Sequence, residues 1–305
     1  MMSKAPAYHT PVLLQACIDN LNILPNGIYV DLTFGGGGHS AEILKKLGPN
    51  GKLFAFDQDE DAQANSLKDA RFTLIPQNFR FLKNYLRLHG VTEVDGILGD
   101  LGVSSHQFDV PERGFSIRFN ADLDMRMNRK SSLTAQMILN EYDEKKLTTI
   151  FREYGEVLNP HKLARLIVTK RAERKITESD QLKEIITPLT PARDANKFLA
   201  KVYQALRIEV NGEMEALKEC LLQCNEVLKK NGRLVVISYH SLEDRMVKNL
   251  IRTGDPDGNE ERDVVYGTVK KVYRNLTSKP IIPEEKEINI NTRARSAKLR
   301  VGEKQ

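Results

Sequence analysis

A disulfide framework is the first thing this sequence lacks. It holds three cysteines in 305 residues, Cys17, Cys220 and Cys224, and no CxxC pair of the kind that binds zinc. Cys220 and Cys224 stand four apart in a helical pattern and read as small buried apolar residues rather than a metal pair. No apolar run approaches the roughly 20 residues that span a bilayer. The opening "MMSKAPAYHTPVLL" has neither the hydrophobic core nor the cleavage site of a signal peptide. The expectation is a cytoplasmic protein without a membrane partner. There is no internal repeat, low-complexity tract or long Pro/Gly linker. Acids are also missing from two stretches. Residues 264–283 carry Lys270, Lys271, Arg274 and Lys279 but no acid, and "TRARSAKLR" carries Arg293, Arg295, Lys298 and Arg300 but no acid. A phosphate-facing edge and a solvated tail both fit such runs. The formal charge of +5 permits a nucleic-acid partner without requiring one.

What is present is a chain of ordinary globular composition, 40% hydrophobic and 29% charged. It is long enough for one large domain, or for a domain with an insert. "HTPVLLQACIDNLNI" predicts a helix with Thr10 as N-cap and Pro11 in its first turn. Beyond it, short apolar runs alternate with helical patterns: "GIYVDLTF", "GKLFAFDQD", "FTLIPQNF" and "VDGILGDLG" as strands, with helices between. That spacing predicts parallel βαβ units, and the unbroken apolar runs suit a sheet covered on both faces. From about residue 133 to 190 only helical patterns occur. "RLVVISYH" then returns to strand and "SLEDRMVKNLIRT" to helix. The resulting expectation is an α/β, doubly wound, Rossmann-like sheet interrupted by an all-helical insert. Its bounds fall at 1–108 and 207–305 for the sheet domain and 109–206 for the insert.

The stretch "VDLTFGGGGHSAEIL" places four glycines between the first strand and a helix. Glycine there allows positive φ and close approach of a ligand to the main chain, and free N–H groups at a helix start attract polar ligand atoms. A P-loop needs GxxxxGK[ST], which is absent and argues against ATP hydrolysis. The dinucleotide pattern GxGxxG fails at Ser40, which weakens a nicotinamide reading. The acid-x-Gly-x-Gly-x-Gly turn of S-adenosylmethionine-dependent methyltransferases fits better, as Asp31-Leu-Thr33-Phe-Gly35-Gly-Gly37, with only its first glycine replaced, by Thr33. Asp57 ends the second strand, where an acid accepts both ribose hydroxyls of an adenosyl group; a helix-capping aspartate is the alternative, a task Asp59 could also take. Phe79 follows the third strand as either an adenine-stacking or a core aromatic. Asp100 ends the fourth. A carboxylate there can accept a hydrogen bond from an exocyclic amine, helping the nitrogen pyramidalise as a methyl group arrives; contact with the methionine part of the cofactor is the other reading. The Pro-Pro-aromatic step that usually follows this acid is replaced by "LGV".

"HTPVLL", "DLTFGGGGHS", "AFDQD", "DLGVSSHQFD", "ERGFS", "LDMRM", "QALRIEVN", "ISYHSLEDR" and "RARSAKLR" together resemble the bacterial 16S rRNA cytosine-N4 methyltransferases, the RsmH (MraW) family, from His9 to Arg300. The resemblance implies methyl transfer from S-adenosylmethionine to N4 of a cytidine in the decoding centre of small-subunit rRNA. It implies cofactor contacts at Gly37, Gly38, His39, Asp57, Phe79, Asp100 and Gln107; His39 and Gln107 enter by the resemblance alone. Gly99 and Thr292 depart from the family, which favours Ala or Leu and Pro, and Gly99 suggests a locally looser strand. For the substrate, Arg113, Arg118 and Arg126 are candidate phosphate ligands, Phe115 a base-stacking ring, and Tyr239 and His240 contacts to the target cytosine. The insert and the basic C-terminal segment are the expected RNA-gripping surfaces. A ribosome-assembly protein that binds rRNA without catalysis is the competing reading.

Overall fold

The computed structural model describes residues 11–260 and 271–305. The chain forms two compact units. One takes the chain up to Gly102 and again from Met214; the other is Val103–Glu213. The insert bounds drawn from sequence, 109–206, lie a few residues inside the second unit, because Val103 and Phe108 pack on its core and Val210 belongs to it.

The first unit is a seven-stranded sheet. Its strands are β1 (Ile28–Asp31), β2 (Lys52–Phe56), β3 (Phe72–Ile75), β4 (Val94–Asp100), β5 (Leu228–Ser238), β6 (Tyr273–Asn275) and β7 (Lys298–Lys304), in the order β3-β2-β1-β4-β5-β7-β6. The pairs from β3 to β5 are parallel, and β7 runs antiparallel to both β5 and β6. Consecutive buried residues fill the inner strands: Leu53 to Phe56 in β2, and Leu234 to Ile237 in β5. This is the expected signature of strands covered on both faces. Strand order reverses between β1 and β4, and Asp31 and Asp100 leave the sheet together at this carboxyl edge, where such sheets bind their ligands. Gly99 keeps its place in the ladder. It pairs with Val236, and a side chain there would meet Leu32 Cδ1 at an ordinary 3.4 Å.

The first helix starts later than expected, at Leu14–Leu21, after Leu13 in a left-handed conformation (φ 50°). Pro11 lies outside it, and Thr10 lies outside the described residues. The helix Gly38–Lys46 follows the glycine turn, and Ser241–Thr253 follows β5 and stops at Gly254 with φ 83°. Cys220 and Cys224 are buried on one face of Glu213–Val227.

The basic C-terminal segment is corrected by β7. Residues 298–304 are a paired strand, which rules out a solvated tail there and takes Arg300 out of any phosphate-facing edge. Arg300 is 9% exposed and donates to Asp244 at 2.6 Å, while Arg233 and Arg274 both pair with Glu303. Lys270 lies outside the described residues.

The second unit is helical. Ala135–Glu141, Glu144–Glu153, Pro160–Glu173, Ser179–Ile186 and Ala195–Asn211 enclose a core that includes Leu139, Leu147, Phe151, Leu163, Ile167, Leu182 and Leu206. Local signals set the boundaries. Thr134 and Asp143 accept from the third backbone N–H of their helices, and Gly212, at φ 56°, stops the last one.

Candidate active site

The site on the sheet unit grows from the exit of β1. Asp31 is 1% exposed; its carboxylate accepts from Thr33 N at 3.0 Å and from Ser40 Oγ at 2.7 Å. Burial raises its pKa, and these bonds, together with the nearby His39, oppose the rise. Asp31 therefore ties the turn to the helix behind it. Within the turn, Gly35 (φ 51°) and Gly37 (φ 75°) hold conformations that L side chains rarely adopt, and nothing lies within 4 Å of where a side chain on Gly35 would stand. Gly38 is glycine for a different reason. A Cβ there would come within 2.2 Å of Pro11 Cγ, so the missing side chain makes room for the proline.

Asp57, just beyond β2, faces this turn. Its Oδ2 accepts from Gly35 N and its Oδ1 from Asp59 N, both at 2.8 Å. Burial pushes its pKa up to about 6. It caps no helix; Asp59 does, accepting from Asp61 N. Each carboxylate oxygen keeps a second lone-pair direction. Past β3, Asn78 Nδ2 donates to Gln58 Oε1 at 2.9 Å and joins the exits of β2 and β3. Phe79 follows, half-buried, at the start of a short 3-10 turn.

Asp100, at the end of β4, is anchored twice. Its backbone N donates to Thr33 Oγ1 and its Oδ1 accepts from Tyr239 Oη, each at 2.7 Å. Burial pushes its pKa up to about 6, with His39 and the Tyr239 hydroxyl pulling the other way. His39 is buried, with Nδ1 4.0 Å from Asp100 Oδ2 and Nε2 3.1 Å from the carbonyl of Val12. A carbonyl can only accept, so Nε2 is the donor in that contact, and Nδ1 faces the Asp100 carboxylate. Thr33 was not singled out from sequence as functional. The signal was there, since it stands where the methyltransferase turn has its first glycine.

Beyond β5, Tyr239 N donates to Glu243 Oε2 at 2.8 Å, and Glu243 N points to His240 Nδ1 at 3.5 Å. His240 Nε2 lies 3.2 Å from Glu243 Oε1 without hydrogen-bond geometry. His240 is thus the N-cap of Ser241–Thr253, with Nδ1 turned to the helix and Nε2 without a hydrogen-bond partner among the described residues.

The insert corrects three substrate-side expectations. Phe115 is 4% exposed and belongs to the helical core, so it cannot stack on a base. Arg113 is 3% exposed and donates to the carbonyls of Arg126 and Met127, which leaves no guanidinium for a phosphate. Arg126 forms a two-pronged pair with Asp124 and also donates to the carbonyls of Arg129 and Ser131. The exposed cation and aromatic of this loop are Arg118 and Phe119. Gln107 is buried in the insert, its Oε1 accepting from Ser104 N as half of a capping box.

Strand order separates this sheet from that of a nicotinamide dehydrogenase, whose strands run in the order 3-2-1-4-5-6. Here an antiparallel strand enters between β5 and β6. With the glycine turn and the acids of the carboxyl edge, it defines a Rossmann-like methyltransferase sheet of the S-adenosylmethionine-dependent class, carrying a helical insert. The sequence profile described as the MraW methylase family matches residues 6–305, and the chain belongs to that family. It is 58% identical to the "Ribosomal RNA small subunit methyltransferase H" of Flavobacterium johnsoniae over 99% of this chain and 100% of that one. It is 54% identical to the protein of the same name from Bacteroides fragilis, over 100% of both chains. Among solved structures, an rRNA methylase from Streptococcus thermophilus aligns with a TM-score of 0.43 at 14% identity, over 100% of this chain and 99% of that one.

Proposed function

We propose that this protein transfers the methyl group of S-adenosylmethionine to N4 of a cytidine in the decoding centre of 16S rRNA, acting in the cytoplasm on the small ribosomal subunit or its rRNA. The observation that carries the reading is the Asp100 carboxylate, held at the end of β4 by Tyr239 and Thr33. The names of the relatives, matched over their whole length, point to small-subunit ribosomal RNA as the substrate.

The residues present fit the cofactor. The open space beside Gly35 and the spare lone pairs of Asp57 suit an adenosyl ribose, and the half-buried Phe79 suits its adenine. Gly37, Gly38 and His39 form the start of the helix that follows the turn and would offer the cofactor backbone N–H groups. Gln107 is carried by the family resemblance alone. When bound, the cofactor supplies an electrophilic methyl group on a sulfonium.

The remaining work falls to the protein. The lone pair of a cytosine N4 amine is delocalised into the ring, so the amine is a weak nucleophile. A carboxylate accepting one N–H lets the nitrogen pyramidalise and takes up the positive charge that develops. Tyr239 occupies Oδ1 of Asp100 and leaves Oδ2 as the acceptor. Because burial holds the carboxyl near 6, it is ionised at neutral pH yet basic enough to receive a proton. The target base must be unstacked to reach such a group.

Incubating the protein with labelled S-adenosylmethionine and undermethylated small subunits, and in parallel with naked rRNA, tests the reading. N4-methylcytidine in the digest of either is expected. Its absence from both would leave a binding protein in place of an enzyme.

A further inference from the structure

A cleft of about 320 Å³ opens on the sheet unit, apart from the glycine turn and Asp57. Tyr239 and His240 line it from the exit of β5, Ile282 and Pro283 from the segment after β6, and Arg295 and Lys298 from the approach to β7. Among the described residues, no carboxylate lines it. Arg295 is exposed, and no ion pair to it is found among the described residues. Lys298 shares Asp244 with Arg300, which holds that acid more closely (3.5 against 2.6 Å), so its charge is only partly offset. Ile282 is an apolar side chain left 64% exposed.

Two cations and no acid favour an anionic ligand, and an exposed isoleucine beside a proline offers a flat apolar wall. The volume lies at the lower end of small-molecule sites, which span roughly 300–1,000 Å³. It therefore suits one unstacked nucleotide rather than a duplex. Tyr239 sets the location, because the residue that lines this cleft also donates its hydroxyl to Asp100.

We infer that this cleft seats a single-stranded RNA nucleotide adjoining the target cytidine, with its base against Ile282 and Pro283 and its phosphate on Arg295 and Lys298. The inference rests on the proposed function for its substrate. It deepens that reading by assigning the C-terminal part of the sheet unit to the RNA flanking the target.

Two exposed substitutions in the full-length protein test it, Arg295→Glu and Ile282→Asp. The readouts are fluorescence anisotropy with a short labelled single-stranded RNA and calorimetry with S-adenosylmethionine. Each substitution is expected to weaken RNA binding roughly tenfold, the scale of a lost stacking or phosphate contact. Arg295→Glu should also flatten the salt dependence by about one phosphate contact. Cofactor affinity should stay unchanged. Wild-type RNA affinity in both variants overturns the inference. So does intact RNA binding with lost transfer on assembled subunits, which would assign the cleft to a ribosomal protein. Lost RNA binding in the variants upholds the cleft as an RNA site even if the wild type forms no N4-methylcytidine, a result that fails the functional reading alone.

Discussion

The hydroxyl of Tyr239 donates to Oδ1 of Asp100 at 2.7 Å, closing β5 onto β4 at the carboxyl edge of the sheet. The bond favours the ionised carboxylate, against the burial that holds it near 6. Tyr239→Phe removes the donor and keeps the ring. The carboxyl should then titrate higher, so the acid limb of the pH–rate profile for methyl transfer moves up by about one to two units, the equivalent of one hydrogen bond to a charged group. A lower plateau with an unmoved limb would leave Tyr239 a packing role only.

Asp57 gives a second pH dependence, in binding. Accepting ribose hydroxyls requires the ionised form, and burial holds this carboxyl near 6. Affinity for S-adenosylmethionine should climb as pH rises through 6 and fall away below it. Asp57→Asn should flatten that dependence and weaken binding roughly 10- to 100-fold. Calorimetry on either side of pH 6 reads both effects, and an unchanged affinity in the variant would remove Asp57 from the cofactor site.

Asp100 should trade stability for activity. Its folded pKa of about 6 lies above the ordinary 3.8. Between those values the native state binds more protons than the unfolded one, so this group's contribution to stability falls as pH rises. The full cost is present above about pH 6 and absent below about 3.8. Asp100→Asn keeps an acceptor for Tyr239 and removes the charge. It should raise stability at neutral pH by about 1–3 kcal/mol and abolish methyl transfer. Denaturant melts at pH 7.5 and pH 4 give the comparison, with the gain confined to the higher pH.

Two glycines of one run should respond differently to alanine. Gly38→Ala drives a Cβ into the rigid ring of Pro11 and should cost about 1–3 kcal/mol by overpacking. Gly35→Ala meets open space and should cost only the positive-φ penalty of about 1–2 kcal/mol. It should also impair cofactor binding out of proportion to that loss, since its Cβ enters the space assigned to the ligand. Chemical denaturation paired with calorimetry separates packing from binding.

The loop after β4 offers a contrast between two arginines. Arg113→Ala leaves two carbonyls in the insert without their buried donor and should destabilise by about 2–4 kcal/mol. Arg118→Ala should leave stability unchanged, because its side chain is exposed, and should reduce the salt sensitivity of RNA binding by about one phosphate contact. Equal thermal shifts in the two variants would contradict this division.

Much of the sheet unit was legible because its signals are local. Apolar runs without alternation marked β1 to β4, the glycine run marked the turn, and Asp57 and Asp100 could be placed by their positions at strand ends. The errors came from partners distant in sequence. Nothing in "RARSAKLR" says that Arg300 finds Asp244, or that Glu303 gathers Arg233 and Arg274, so the cations that pair inside the sheet could not be told from Arg295, which is exposed. Arg113 and Phe115 were misjudged in the same way. A cation and an aromatic in a polar loop suggest an exposed nucleic-acid contact, whereas here they complete the core of a helical unit. The glycine turn was located correctly, but sequence could not separate the glycines set by backbone conformation from Gly38, which is set by Pro11.

The chain leaves the sheet at Gly102 and rejoins it after Met214, yet β4 and β5 are neighbours, with Asp100 in register with Ile237. This arrangement imposes an order in time. The parallel neighbour on that side of β4 arrives only after the whole insert has been made, and Tyr239 arrives with it. An insert that first gathers around its own core shortens the loop that β4 and β5 must close. Nascent or half-folded protein therefore presents a formed glycine turn while Asp100 still lacks its Tyr239 donor, so the two halves of the carboxyl edge are completed at different times.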